Sequence, residues 1–201
     1  MKEKIIELLK STERKGIDKL LDWMEQARYF NAPCSGAHHL AKDGGLAEHS
    51  LNVYKVMKGL YSEVLGGNCK IPKDSLIISA LLHDLGKTGD FGKPNYIENW
   101  VKDGKTTKSE PEQKYKRSES KPYMANPELL YVPHEIRSIS IASKFIELTE
   151  EEYFAILYHN GLYGDLKYAV SGKETPLYLL LHMADMWSSR VIEVGREKEP
   201  E

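Results

Sequence analysis

Apolar residues recur at helical spacing along most of this 201-residue chain, and this periodicity constrains its fold more than any other feature. The first thirty residues predict two amphipathic helices, because leucine, isoleucine and methionine repeat there every three or four positions. Further helices are predicted in the segments 46–65, 75–85, 135–148, 151–159 and 177–194. The sequence therefore predicts an all-α helical bundle.

The helical pattern stops between residues 90 and 130, where glycine, proline, serine and charged residues replace the apolar repeat. Within this stretch "NYIENWV" and "EQKYKRS" can form short strands, so we expect an irregular or β-hairpin excursion, not a second domain. The length of the chain suits one domain. We predict a single domain over residues 1–195, with N-terminal helices at 1–30, an insertion at 90–130 and a flexible tail at 196–201.

Composition and charge exclude several classes of protein. Thirty acidic and 28 basic residues give a formal charge of −2, so the whole chain has no strong electrostatic attraction to nucleic acid. No window approaches the roughly 18 apolar residues of a membrane span, and Glu3 and Glu7 interrupt the N-terminal apolar run, unlike a signal peptide. Cys34 and Cys69 lack CxxC spacing. We expect a cytoplasmic protein with reduced thiols and no membrane partner, and its oligomeric state stays open.

Several histidines and aspartates stand on apolar helix faces or at predicted helix ends, where an unpartnered polar group is costly to bury. They are His49, His83, Asp84, His134, His159 and Asp185. One such histidine is typical of a hydrogen-bonded core residue, but six such residues, from five segments of the chain, indicate a metal site. Imidazole and carboxylate favour one or two transition ions such as Mn²⁺, Fe²⁺, Co²⁺, Ni²⁺ or Zn²⁺, with Mg²⁺ as an alternative.

His83 and Asp84 close the apolar run "SLIISALLHDL". Asp74 or Ser75 can act as the N-cap of this helix, and Gly86 can supply the permissive backbone that commonly ends one. The adjacent histidine and aspartate are therefore expected in its last turn.

The order of these residues resembles the H…HD…H…H…D signature of the HD-domain superfamily of metal-dependent phosphohydrolases, over about residues 30 to 190. More locally, "FNAPCSGAHHLAKDGGLAEHSLNVYK" and "HDLGK" look like a group of short bacterial and bacteriophage HD proteins. Both segments are also similar to the HD domain of certain bacterial 3′-to-5′ exoribonucleases, in which HH, GGL and EH recur. The resemblance implies an HD-domain helical bundle.

The resemblance also implies roles for individual residues. The positions that match the ligands of the family's first metal are His49, His83, Asp84 and Asp185. The aspartate of the HD pair can bridge to a second ion, which two-metal members bind with the histidines that match His134 and His159. Pro133 departs from the exoribonuclease-like pattern, in which glycine is frequent at this position.

The implied chemistry is metal-assisted hydrolysis, because a divalent ion lowers the pKa of its water toward neutrality and provides a nucleophile for phosphorus. We expect Asp84 to hold or bridge the centre. Lys87 can reach a phosphate oxygen, or it can be a helix-end lysine favoured by the helix dipole. His39 can face the substrate or only orient a loop. Three bases of the excursion can bind substrate phosphates or form a solvated face: Lys114, Lys116 and Arg117.

The leading expectation is a metal-dependent phosphohydrolase that cleaves a phosphoester of a nucleotide or oligonucleotide, so its partner would be a nucleotide or a short nucleic acid. One alternative is a nuclease similar to the 3′-to-5′ exoribonucleases. Another is a non-catalytic regulatory or binding module that has kept the scaffold. The remaining hypothesis is a helical interaction protein in which the histidines are coincidental. Measurement of the metal content together with a screen of phosphoester substrates would distinguish these hypotheses.

Overall fold

Helices make up most of the structure, a computed structural model that describes residues 1–63, 71–106, 111–164 and 167–194. In chain order they are α1 (Lys2–Lys10), α2 (Ile17–Gln26), α3 (Gly45–Glu63), α4 (Lys73–Leu82), α5 (His134–Ala142), α6 (Glu150–Tyr158), α7 (Lys167–Val170) and α8 (Pro176–Trp187). Short 3₁₀ turns follow α2, α4 and α6, and a π-helical turn follows α8. The prediction of a mostly helical fold is confirmed.

Two buried apolar clusters fill the helical body, and α3 and α4 contribute to both. On α3, Leu46 and Leu51 pack into the first cluster with α1 and α2, whereas Val53 and Met57 pack into the second with α8. His49 lies on the same helix and is fully buried. The helical body thus encloses polar side chains where water cannot compensate them.

Arg14 connects the N-terminal helices to the rest of the helical fold through hydrogen bonds. Its guanidinium donates to Asp74 Oδ2 at 2.6 Å and to Glu152 Oε2 at 2.8 Å, and the Ser75 hydroxyl also donates to Glu152. Asp74 and Ser75 lie in the first turn of α4, and their side chains bind partners from other segments. The prediction that either residue is the N-cap of α4 is wrong, because the residue at that position is Pro72.

The excursion forms an antiparallel ribbon. Strand β1 (Gly89–Asp90) pairs with β2 (Lys93–Pro94), β3 (Tyr96–Glu98) with β6 (Tyr123–Ala125), and β4 (Trp100–Asp103) with β5 (Lys114–Arg117). At the base of the ribbon the Tyr123 amide donates to the Gly36 carbonyl at 3.1 Å, which holds the excursion against the loop before α3. The predicted β-hairpin excursion is confirmed.

Two predictions fall on segments that the structure does not describe, namely the flexible tail at 196–201 and the neighbourhood of Cys69. Among the described residues, none of the helices combines the length and apolar character that a membrane span needs.

Candidate metal centre

The structure brings the six residues predicted to bind metal together around the carboxylate of Asp84. Its Oδ2 lies 3.5 Å from His49 Nε2 and 3.4 Å from His83 Nε2. Its Oδ1 lies 3.2 Å from His134 Nε2 and 3.5 Å from His159 Nε2. Asp185 approaches from α8, with Oδ1 3.1 Å from His49 Nε2. The two oxygens of one carboxylate thus face two different pairs of imidazoles.

Close packing of the turn after α4 positions this carboxylate. Asp84 leaves the helical conformation (φ −102°, ψ 11°) and starts the 3₁₀ turn Leu85–Thr88. The amide of Gly86 donates to the Ser138 hydroxyl on α5 at 2.8 Å, and a Cβ at Gly86 would overlap the carbonyl oxygen of His134. Gly86 is therefore required for close approach of α5. The prediction that it ends α4 is wrong, since the helix stops at Leu82.

Backbone carbonyls fix the ring protons of two of the histidines. His83 Nδ1 lies 2.9 Å from the Ala80 carbonyl oxygen, and His159 Nδ1 lies 2.7 Å from that of Ile156. Because a carbonyl oxygen only accepts hydrogen bonds, each Nδ1 carries a hydrogen. In the neutral imidazole the lone pair is then on Nε2, which points at Asp84.

A carboxylate fixes the ring of His49 in the same way, because its Nδ1 lies 2.9 Å from Glu193 Oε2. His134 Nδ1 lies 3.2 Å from Glu135 Oε2, a close contact that is not a hydrogen bond. Two facing pairs result, with Nε2 of His49 3.2 Å from Nε2 of His83, and the corresponding atoms of His134 and His159 3.3 Å apart. Neutral rings held this way present lone pairs to one another and to a carboxylate, so a cation between them would remove the repulsion.

The charge balance around Asp84 also favours a cation. Asp84 Oδ1 is buried and accepts no hydrogen bond from a described residue, whereas Oδ2 accepts one from Lys87 Nζ at 2.6 Å. Burial alone would raise the pKa of Asp84, but the charges of Lys87 and His83 hold it well below its usual range. Burial disfavours the Lys87 ammonium, and the Asp84 carboxylate outweighs this effect and raises the pKa of Lys87.

Further carboxylates make the cluster more negative. Against burial, contact with Asp185 and Glu193 raises the pKa of His49 well above its usual value. Burial likewise opposes ionisation of Asp185, but His49 lowers the pKa of this carboxyl. The carboxylates of Asp84, Asp185 and Glu193 thus lie against His49, and the Lys87 ammonium binds Asp84. These buried groups have the ligand types, spacing and charge to bind a metal.

His39 lies beside this cluster. Its Nε2 is 3.4 Å from Cys34 Sγ and 3.9 Å from Glu193 Oε2, and its ring centroid is 5.2 Å from that of His49. Burial lowers the pKa of His39 to about 4 and raises the pKa of the Cys34 thiol to about 11. At neutral pH the pair is therefore a neutral imidazole next to a protonated thiol. Nothing in the sequence predicted that Cys34 would contact His39.

A cavity of about 970 Å³ lies between the end of α2, the segment 28–33 and the base of the excursion. Lys87 is part of its wall and also binds Asp84, so this residue joins the cavity to the cluster. Tyr96 lines the cavity too, and burial raises the pKa of its hydroxyl, which stays protonated and can donate a hydrogen bond. The six potential ligands are not part of the lining.

The three bases of β5, which we call the ribbon bases, are Lys114, Lys116 and Arg117. Lys116 Nζ lies 3.3 Å from Asp103 Oδ1, and Arg117 Nη1 lies 3.3 Å from Glu98 Oε1. The Arg117 guanidinium also lies over the ring of Tyr123, 4.6 Å from its centroid. These contacts are within the ribbon, and Tyr123 connects it to the cavity lining.

Glu193 contacts the centre and was not predicted from the sequence. It follows the π-helical turn Ser188–Ile192, a rare conformation that is frequent at functional sites, and its side chain is 1% exposed. Asn52 Nδ2 donates to Glu193 Oε1 at 3.0 Å and helps to hold it against His49. The sequence feature that could have indicated this residue is an acidic side chain between Ile192 and Val194 near the end of an apolar helix.

Comparison of the chain with protein-family models, with curated proteins and with solved structures gave no match. The side chains around Asp84 and the adjoining cavity are therefore the observations that indicate a function.

Proposed function

We propose that this chain is a metal-dependent phosphohydrolase of the HD-domain superfamily, which cleaves a phosphoester of a nucleotide or oligonucleotide. The observation that carries the proposal is the convergence of four Nε2 atoms on one buried carboxylate, with the Nδ1 atoms of His49, His83 and His159 each facing a hydrogen-bond acceptor. Hydrogen bonds of this kind fix ligating histidines in metal sites. A histidine that only fills a core has no need of such an arrangement.

The donor sets support binding of one or two ions. His49, His83 and Asp185 would hold a first ion with Asp84 Oδ2, and His134 and His159 would hold a second with Asp84 Oδ1. The residues fit such ions because Asp84 Oδ1 is buried and accepts no hydrogen bond from a described residue, and because the potential ligand atoms in each group lie within 4.8 Å of one another. Mixed imidazole and carboxylate ligands favour Mn²⁺, Fe²⁺, Co²⁺, Ni²⁺ or Zn²⁺, with Mg²⁺ as an alternative.

The chain's own residues would then position and stabilise the reacting phosphoester. When bound, the ions supply Lewis acidity and a nucleophile derived from water. Asp84 would fix the centre through both oxygens, and Lys87 would turn from Asp84 toward a non-bridging phosphate oxygen in the cavity that it lines. Tyr96 would donate a hydrogen bond to the same phosphate from its protonated hydroxyl.

A hydrolysis panel on the full-length protein tests this proposal. Protein loaded with Mn²⁺ would be offered nucleoside mono-, di- and triphosphates, cyclic dinucleotides, and short RNA and DNA, with metal content measured on the same samples. We expect release of phosphate or of a shortened product, and no release by His83→Ala. A protein that binds metal through these residues but hydrolyses none of the substrates would instead be the non-catalytic module.

The length of the accepted substrate would distinguish the two enzymatic hypotheses, a nucleotide hydrolase and a nuclease. Shortening of RNA from one end would indicate the nuclease similar to the 3′-to-5′ exoribonucleases, with the ribbon bases as contacts for the backbone of the strand. Turnover of mononucleotides alone would indicate that the cavity beside Lys87 holds the complete substrate.

A further inference from the structure

Phe91 occupies an unusual position at the edge of the cavity that Lys87 lines. It is the first residue of the two-residue loop between β1 and β2, whose register pairs Asp90 with Lys93. Phe91 has φ +55° and Gly92 has φ +71°, so both central residues lie in the left-handed region. This is the pattern of a type I′ turn, in which asparagine or glycine is strongly preferred at the position of Phe91.

The local structure does not account for a phenylalanine here. Phe91 is 82% exposed, so its side chain gains little from burial, and its backbone conformation is unfavourable for a bulky side chain. Lys144 Nζ lies 5.4 Å from the ring centroid, but this ammonium is already bound by Asp90 at 2.9 Å. An exposed cation–π contact is one of the weaker side-chain interactions and at most offsets the cost of the backbone conformation.

The cavity gives the exposed ring a functional context. Besides Phe91, its lining contains the aromatic side chains of Trp23, Tyr96 and Tyr123. Its volume of about 970 Å³ is at the upper end of the range for small-ligand sites. Lys87 places a cation in the wall where the cavity adjoins the metal centre. A matching ligand has a flat aromatic part and an anionic group.

We propose that this cavity binds the base of the nucleotide substrate, which stacks on the ring of Phe91 while the phosphate lies at Lys87. The inference rests on the proposed function and adds a base-binding site to it. Stacking on an aromatic ring is tolerant of base identity, because every base has a π face. The exposed and conformationally costly phenylalanine is thereby explained as a residue kept for ligand contact.

Substitution at Phe91 separates ligand contact from a structural role. Phe91→Asn creates the Asn-Gly pair that a type I′ turn prefers, so the midpoint of thermal unfolding should stay the same or rise. Phe91→Trp keeps a stacking surface. Tyr168→Asn is a matched control, because Tyr168 is 84% exposed, has Lys167 Nζ 5.3 Å from its ring centroid and is not part of this lining.

The measurement is calorimetric titration of the full-length protein with adenosine, cytidine and ribose. We expect both nucleosides to bind and ribose not to bind. Phe91→Asn should weaken nucleoside binding at least about fivefold, the factor given by the lower end of base–aromatic stacking energies. Phe91→Trp and Tyr168→Asn should bind as the parent does. Equal affinity of Phe91→Asn and the parent, or binding of ribose as strong as that of adenosine, would overturn the base-binding site.

Nucleosides contain no phosphoester, so this titration does not depend on hydrolysis. If the protein binds nucleosides through Phe91 but hydrolyses none of the phosphoesters, the proposed function is refuted and the base-binding site stands. If the protein hydrolyses nucleotides and Phe91→Asn leaves the Michaelis constant unchanged, the proposed function stands and the base-binding site is refuted.

Discussion

Replacing Glu193 with glutamine tests whether this residue controls the ring proton of His49. Both carboxylate oxygens lie within 3.0 Å of His49 Nδ1, and Oε1 also accepts a hydrogen bond from Asn52. An amide has one accepting oxygen and one donating nitrogen. If the nitrogen replaces Oε2 it faces the Nδ1 hydrogen, and if it replaces Oε1 it faces the Asn52 amide. Either orientation places two donors against each other.

The variant therefore has two ways to respond, and both weaken metal binding. The side chain can lose a buried hydrogen bond, or His49 can move its proton to Nε2, where it blocks the ligand lone pair. Loss of such a partner of a metal-binding histidine lowers metal affinity about 10- to 100-fold, which corresponds to about 1.4–2.7 kcal/mol. The expected result for Glu193→Gln is a loss of Mn²⁺ affinity in this range.

Competition for Mn²⁺ with a chelating dye measures this effect, and circular dichroism verifies that the fold is kept. Glu150→Gln is the matched control, since it removes the same charge from an exposed residue at the start of α6. If Glu193→Gln and Glu150→Gln bind Mn²⁺ with the same affinity as the parent, Glu193 does not orient His49 and the reasoning is wrong.

Three further outcomes are expected. Asp84→Ala should lose metal and hydrolysis but keep its helical circular dichroism, because it removes the central ligand together with a buried charge; turnover equal to the parent in a metal-verified assay would contradict the mechanism. Gly86→Ala should lower the free energy of unfolding in urea by about 1–3 kcal/mol, because α5 must move away. By contrast Gly59→Ala on α3, where a Cβ meets no atom within 4 Å, should raise it by about 0.5–1 kcal/mol. Changing all three ribbon bases to glutamine should raise the Michaelis constant and flatten its salt dependence, and the metal content should stay unchanged. If the Michaelis constant of this variant equals that of the parent at every salt concentration, the ribbon bases form only a solvated face.

The helical elements could be predicted from sequence because their signals are local. Apolar spacing defined the helical segments. The start of α6 is also local, because Thr149 and Glu152, three positions apart, form both hydrogen bonds of a capping box. Loss of the apolar repeat likewise marked the excursion. These features depend on residues a few positions apart, so a single sequence contains them.

The errors occur where a distant segment decides the role of a residue. Asp74 and Ser75 have the side chains of N-caps, but the guanidinium of Arg14 and the carboxylate of Glu152 engage them across the fold. Gly86 has the composition signal of a helix end, yet it is needed because α5 passes close to it. Glu193 had no local signal for contact with His49, 144 positions away in the chain.

The geometry also explains why a histidine and an aspartate stand side by side after α4. Neighbouring residues on an α-helix point about 100° apart, so an intact helix could not direct both side chains to one centre. His83 retains helical angles (φ −55°, ψ −39°), whereas Asp84 does not, and the break turns its carboxylate until Oδ2 lies 3.4 Å from His83 Nε2. Because the chain then passes through Gly86, α5 can approach closely enough for His134 to reach the other oxygen at 3.2 Å. The end of one helix thus lets a single carboxylate face both pairs of histidines, which is the arrangement that a bridging ligand requires.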